Sequence, residues 1–203
     1  MPRNKNIKRR LPVDIFAQRW TGWGPTQGLV ANGLAALATS STLVAGYGLA
    51  AVVNNDGRAD ALISGSIRVG TTPTANTLIE VWLIPKLTDQ LGNYSGWPDV
   101  FTGIDKAYTA TSRPILTNYA GLVASLAVDT NTTGRDYPFA RMACEALGTR
   151  YLPRAFQVFI THSTAVNLDS GTGQTIKHVV GVTPFYELQR GLTSTGAPTG
   201  NIY

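Results

Sequence analysis

The chain has 203 residues, of which 43% are hydrophobic and only 14% charged, whereas ordinary globular domains carry about 25% charged residues. This length fits one large domain, and the single cysteine, Cys144, excludes an intrachain disulfide and a cysteine zinc cluster. The longest apolar region, residues 34–53, is interrupted too often by polar residues and glycines to span a bilayer, so we expect no membrane contact.

The net charge of +5 is concentrated at the N-terminus. Residues 1–19 contain six basic residues and one acidic residue, and the rest of the chain sums to zero. A neutral body is not expected to track a nucleic acid backbone. A surface so poor in charge must be covered by Thr, Ser, Asn and Gly or by partner subunits, which favours a protein that packs against others.

Residues 1–28 are predicted to be an extended N-terminal arm. Pro2, Pro12, Pro25 and the turn Gly22–Pro25 oppose a long helix, although Val13–Arg19 could form one helical turn. Trp20 and Trp23 are too large and apolar to stay exposed, so we expect them to dock on the body or on a neighbour.

From residue 29 to 190 the pattern predicts an all-β domain. Residues 59–69 alternate apolar and polar side chains, as in a half-buried strand, and Thr77–Leu87 is apolar on both faces until Pro85 ends it or places it at an edge. Further strands are predicted at Leu43–Val53, Tyr108–Leu116, Gly121–Val128, Phe156–His162 and Lys177–Tyr186. One helix is predicted at Phe139–Leu147, ended by Gly148, with an irregular strand as the alternative for this segment. Residues 191–203 are predicted to be an extended tail.

Short strands separated by turn signals, without alternating helices, indicate an antiparallel β-sandwich. At this length the jelly roll is the leading prediction, ahead of an immunoglobulin-like sandwich.

The sequence pattern predicts neither a catalytic site nor a bound metal or cofactor, so the protein is not expected to be an enzyme. His162 and His178 lie near the ends of predicted strands, and neither has a second histidine or cysteine at metal-ligand spacing. We interpret both as structural. If their strands pair, a site formed by the two histidines would still need a third ligand, for which Asp169 is the candidate. No nucleophile elbow is present, and Cys144 is interpreted as a small buried hydrophobe.

Two segments could bind partners. The basic arm could neutralise phosphates or dock in an acidic crevice of a protein, and the aromatic residues that follow its charges favour docking over a solvated tail. The loop Tyr94–Phe101 carries three large rings, which we interpret as a packing or subunit contact, with sugar stacking as the alternative.

Two stretches resemble a family of tailed-bacteriophage virion proteins. They are residues 64–85, with the "EVW" strand, and residues 154–168, with the Phe-x-Val-Phe-x-Thr-His-x-Thr strand; the loop Trp97–Phe101 between them is also similar. The similarity covers roughly residues 35–185 and excludes the arm.

The resemblance implies a jelly-roll capsid decoration (cement) protein of the virion surface, assembled in the host cytoplasm. Such a protein binds the outside of a shell built from the major capsid protein, bridges capsomers, and is expected to be a homo-oligomer, a dimer or a trimer. An arm of about 20 extended residues could reach about 65 Å, onto a neighbouring capsomer. We expect the attachment to depend on seven residues: Arg3, Lys8, Arg9, Arg10, Phe16, Trp20 and Trp23.

Two other functions remain open at this point. A self-assembling jelly-roll capsid protein would turn the basic arm onto packaged nucleic acid, although six basic residues are few for that task. A virion fibre or carbohydrate-binding domain would use Tyr94, Trp97 and Phe101.

Overall fold

The computed structural model describes residues 22–54, 58–88, 95–170 and 178–186. One 3-10 helix (Asn32–Leu34) and two α-helices, α1 (Arg113–Tyr119) and α2 (Ala143–Leu147), accompany a series of strands. These strands are β1 (Gly22–Trp23), β2 (Gln27–Leu29), β3 (Ala45–Gly48), β4 (Val52–Val53), β5 (Asp60–Arg68), β6 (Thr77–Pro85), β7 (Leu87–Thr88), β8 (Ser95–Gly96), β9 (Lys106–Thr109), β10 (Gly121–Val128), β11 (Asp136–Met142), β12 (Ala155–His162) and β13 (Val179–Tyr186).

The strands form two antiparallel sheets that pack as a sandwich, as predicted. In the first sheet β1 and β2 both pair with β13, which is followed by β5 and then β11. In the second sheet the order is β10, β6, β12, β3, β9, and β4 also pairs with β12. The strands β7 and β8 form a separate small hairpin.

The long-range pairing is nested along the chain. The first strands, β1 and β2, pair with the last strand, β13; β3 and β4 pair with β12; β5 pairs with β11; and β6 pairs with β10. Because the two members of each outer pair lie more than 100 residues apart, the sandwich closes through non-local contacts.

The main core lies between the sheets. On β5 the side chains of Ala61, Ile63 and Ile67 are fully buried, while Leu62 and Ser64 between them are only half-buried. This confirms the alternation predicted for residues 59–69. The opposite sheet supplies Ile79, Val81 and Leu83 of β6 and Val158 and Ile160 of β12 to the same core.

A second, smaller core covers the outer face of the second sheet. Trp82 and Ile84 alternate with the core residues of β6, so they face away from the first sheet. The segment 97–120 folds over them and contributes Phe101, Tyr108 and Leu116. The strand β6 is therefore buried on both faces, which confirms the interpretation of its continuous apolar run, and it ends at Pro85.

Two predicted elements are wrong in part. Tyr108–Leu116 is not one strand, because β9 ends at Thr109 and α1 begins at Arg113, where the Ser112 hydroxyl accepts a hydrogen bond from the Ile115 N–H at 3.3 Å. Ser112 and Pro114 are ordinary helix-start residues. In the predicted helix 139–147, residues 139–142 instead belong to β11, and only α2 is helical.

Five further predictions compare directly with the structure. The predicted strand Leu43–Val53 is broken into β3 and β4. Gly148 does end α2, with a φ of 62°. Gly121–Val128 and Phe156–His162 form strands as predicted, and β13 occupies 179–186 of the predicted Lys177–Tyr186 strand, whose first residue lies outside the described part of the chain.

The proposed arm meets the body within the first sheet. Residues 22–23 and 27–28, which we assigned to the arm, pair with β13 as part of β1 and β2. Residues 1–21 and the predicted tail 191–203 lie outside the described residues. Within the described residues, no helix is long and apolar enough to cross a membrane.

Candidate docking surface

The N-terminal edge of the first sheet presents an exposed tryptophan. Trp23 pairs with Phe185 across β1 and β13, and the two rings meet edge-on with centroids 5.3 Å apart. The backbone continues in register, because the Gly24 N–H donates to the Pro184 carbonyl at 2.8 Å. Trp23 is nevertheless 56% exposed. The body therefore contacts one edge of the indole through Phe185 and leaves more than half of the Trp23 side chain exposed.

Trp23 is the one predicted attachment residue that the structure describes. Arg3, Lys8, Arg9, Arg10, Phe16 and Trp20 precede Gly22 and lie outside the described residues. The chain therefore enters the described body next to an exposed aromatic side chain, directly after the segment that holds the excess positive charge.

A shallow cavity of about 340 Å³ lies beside this edge. It is lined by Pro25, Thr26, Gln27, Arg58, Pro184 and Tyr186. The Thr26 and Thr183 hydroxyls are hydrogen-bonded at 2.7 Å and tie the β1–β2 connection to β13. We define Trp23, Phe185 and this cavity together as the aromatic edge.

Both histidines have structural hydrogen bonds. The ring of His162 is fully buried, with Nδ1 2.9 Å from the Thr164 hydroxyl and Nε2 3.0 Å from the Leu37 carbonyl oxygen. His178 accepts from the Arg68 N–H at 3.3 Å and donates to the Asp169 carbonyl oxygen at 2.9 Å. Burial lowers the pKa of both imidazoles. These contacts support the structural interpretation of the two rings.

The proposed third ligand does not complete a metal site. Asp169 meets His178 through its backbone carbonyl, and within the described ranges no group of three or more His, Cys, Asp or Glu side chains could hold a metal ion. Cys144 is buried, and burial together with Asp60 raises the pKa of its thiol to about 11. This confirms Cys144 as a buried hydrophobe.

The aromatic loop packs onto the body. Phe101 is only 3% exposed, and the centroid of its ring lies 4.9 Å from that of Tyr108 and 5.1 Å from that of Phe159. Trp97 is half-buried, and Tyr94 lies outside the described residues. Phe101 therefore makes a packing contact, one of the two interpretations favoured for this loop, because the apolar outer face of the second sheet attracts its ring.

Asp99 fixes this loop through side-chain hydrogen bonds. Its carboxylate accepts from the Thr111 N–H at 2.8 Å, the Thr111 hydroxyl at 2.5 Å and the Tyr119 hydroxyl at 3.3 Å. The pKa of Asp99 is lowered despite its partial burial, because these three bonds favour the charged form. These bonds attach the loop to the segment that follows it.

An ion pair between a buried carboxylate and a half-exposed arginine at the start of α1 was missed by the sequence interpretation. Glu80 is fully buried in β6, accepts a hydrogen bond from Trp82 Nε1 at 3.1 Å, and forms an ion pair with Arg113 at the start of α1. A single acidic residue within the apolar run TLIEVWLIP was the available signal, since a buried carboxylate requires a partner. The pair joins the covering segment to the second sheet.

Comparisons with protein-family models, with curated proteins and with solved structures find no match to the chain.

Proposed function

We propose that the protein is a structural virion protein that decorates a phage capsid. It would bind the outside of the major capsid protein shell and bridge neighbouring capsomers, as the resemblance implies. The observation that carries this proposal is the aromatic edge: the chain's excess positive charge is joined to a neutral sandwich at a point where Trp23 remains 56% exposed.

We further propose that the sandwich is of the jelly-roll type. A jelly roll can be described as a long antiparallel hairpin wound into two sheets. The nested pairing of first strand with last, second with second-last, and so on inward, supports this topology. The chain also changes sheet at most connections. The exceptions are β1 to β2 in the first sheet and, in the second sheet, β3 to β4 and the stretch β6, β9 and β10.

The placement of polar groups is consistent with a structural role. The two histidines are engaged in backbone and threonine hydrogen bonds, and the buried Glu80 is neutralised by Arg113. The proposed function needs only a rigid body and an attachment segment. The sugar-binding alternative loses support because Phe101 lies inside the second core.

The arm would attach in two ways. Its basic residues would give a long-range, salt-dependent attraction to an acidic crevice of the shell protein. Trp20, Phe16 and Trp23 would supply desolvated aromatic contacts, which commonly dominate the energy of an interface. Linking both kinds of contact through one chain raises the effective concentration of each.

The test is saturable co-sedimentation with preformed shells that lack this protein. Trp23→Ala should weaken binding by about 30-fold, the effect of losing an interface hot spot of about 2 kcal/mol. Charge reversal of Lys8, Arg9 and Arg10 should weaken it further and reduce its salt dependence. The matched control reverses Arg150 and Arg154, which are exposed on the body, and should bind like the natural protein.

Two outcomes would overturn the proposal. One is unchanged shell binding in both arm variants. The other is a protein that assembles shells by itself or pellets with nucleic acid in a salt-dependent way, which would make it a capsid protein with an inward-facing arm.

A further inference from the structure

The two edge strands of the first sheet are anchored differently. One edge is β11, whose seven residues pair without interruption with β5 and bury Tyr137 and Phe139 in the main core. The other edge is formed by β1 and β2, which pair with β13 through only two and three residues. From Trp23 to Val30 every residue of this edge is exposed or half-buried. The second edge therefore depends mainly on its backbone pairing.

The sequence of this edge explains its weak anchoring. Residues 22–30 read GWGPTQGLV, so three glycines contribute no side chain to the core and Pro25 has no N–H to donate. The pairing is also interrupted, because the three residues 24–26 lie opposite only Thr183 and Pro184, as in a β-bulge. A Cβ atom added to Gly28 would meet nothing within 4 Å. Among the described residues, nothing packs over the strand at that point.

The side-chain contacts of this edge lie near the surface. Trp23 meets its β13 partner edge-on and remains 56% exposed. The hydroxyls of Thr26 and Thr183 are hydrogen-bonded at 2.7 Å in an exposed position. Leu29 is half-buried at the margin of the main core. Breaking these contacts and the backbone hydrogen bonds removes no fully buried side chain from the core.

We propose that residues 22–30, which we call the strap, detach from β13 as a unit while the rest of the sandwich stays folded. The chain is fixed again at Leu34, which is fully buried in the main core, so the opening ends before that residue. Detachment breaks surface hydrogen bonds and empties no core position, whereas opening β11 would remove two aromatic rings from the core. The strap is thus a unit of low stability on a more stable body.

A detached strap lengthens the connection between the body and the arm that precedes it. Its nine residues span about 30 Å when extended, so the arm gains that much reach without any unfolding of the two sheets. Trp23 moves with the strap, which keeps this aromatic side chain joined to the basic segment. The gain in reach rests on the proposed function, in which the arm binds the shell; the opening itself does not.

The test is native-state hydrogen exchange of the full chain, read by mass spectrometry on peptides from both edges of the first sheet in increasing, sub-denaturing urea. Strap amides should exchange at least about 100-fold faster than β11 amides. The exchange rate of the strap should hardly depend on urea, because its opening exposes little surface. The matched control is β11, an edge strand of the same sheet that is anchored by core side chains.

A reversible cross-link tests whether the strap moves as a unit. The contact between the Thr26 and Thr183 hydroxyls places the two positions within reach of a disulfide. In the double variant Thr26→Cys with Thr183→Cys, oxidation should slow the exchange of β2 amides at least about tenfold relative to the same variant when reduced. Cys144 is buried and should not compete for the cross-link.

Two results would overturn the proposal. Strap amides that exchange as slowly as β11 amides, with the same urea dependence, would show that the strap opens only when the whole domain unfolds. Equally fast exchange of β2 in the oxidised and reduced variant would show that these amides exchange without detachment of the strap. Neither measurement requires a shell, so a failure of the proposed shell binding is distinguishable from a failure of the strap.

Discussion

Replacing Arg113 with methionine tests how the covering segment is held on the second sheet. Arg113 forms an ion pair with Glu80, whose side chain is 1% exposed while that of Arg113 is 46% exposed. Methionine retains most of the apolar stem of arginine and removes its charge. The carboxylate would then keep only the hydrogen bond from Trp82 Nε1.

The expected loss follows from the unequal burial of the two partners. Removing one member of a fully buried pair costs about 3–5 kcal/mol, because a buried charge is left uncompensated. Water already screens the exposed guanidinium and could reach the vacated position. We therefore expect Arg113→Met to lower the free energy of unfolding by about 2–3 kcal/mol.

Urea unfolding at neutral pH measures this loss, with Arg135→Met as the matched control. Arg135 pairs with Asp129 at 3.2 Å, and both side chains are about half-exposed. That pair and the nearby Tyr137 ring should together contribute at most about 1 kcal/mol.

A double-variant cycle separates the charge from the packing. Glu80→Gln with Arg113→Met should recover most of the loss, because a neutral amide can still accept from Trp82 and no charge is left buried. The reasoning is refuted if Arg113→Met costs no more than Arg135→Met, or if the double variant is no more stable than Arg113→Met alone.

Two further predictions concern the histidines and the close approach of strands. Burial lowers the native pKa of His162 and His178. As the pH falls, the unfolded chain therefore takes up these protons at a higher pH than the native protein does. Stability should be full above about pH 6.5 and fall as the pH drops through the native pKa values, and denaturant titrations from about pH 7.5 to 5 should show this slope; a flat profile would contradict it. Gly46→Ala would overlap the Ile160 carbonyl oxygen and should cost at least about 3 kcal/mol, while Gly28→Ala meets nothing within 4 Å and should change stability by less than about 0.5 kcal/mol in the same assay. Equal effects of the two alanines would contradict the close approach at Gly46.

Local sequence patterns predicted the strands correctly where burial gives the apolar residues a simple spacing. The alternation along β5 and the continuous apolar run of β6 identified a strand of a half-buried face and a strand buried on both faces. The patterns gave the wrong element where pairing with a distant strand outweighed the local preference for helix. Residues 139–142 resemble a helix by composition, but pairing with β5 makes them a strand, with Phe139 buried in the core.

The candidate site was predictable only in part. Trp23 was singled out because a large apolar side chain stood in an irregular, basic segment, and the structure places it at an exposed edge. Phe101 was interpreted as part of a packing or subunit contact, and it does pack, but nothing local shows that the surface it covers is the apolar outer face of the second sheet. The remaining attachment residues stay predictions.

The sequence by itself determined the separation of charge from the body, the β-sandwich class and the strand periodicity, because these depend on composition and on neighbours two residues apart. Only the tertiary structure decided the nested pairing and the cover over the second sheet. It also decided the partners of buried polar groups: Glu80 meets Arg113, and His162 meets Leu37 across 125 positions. Such contacts form when distant strands are brought together, and no local pattern encodes which strands those are.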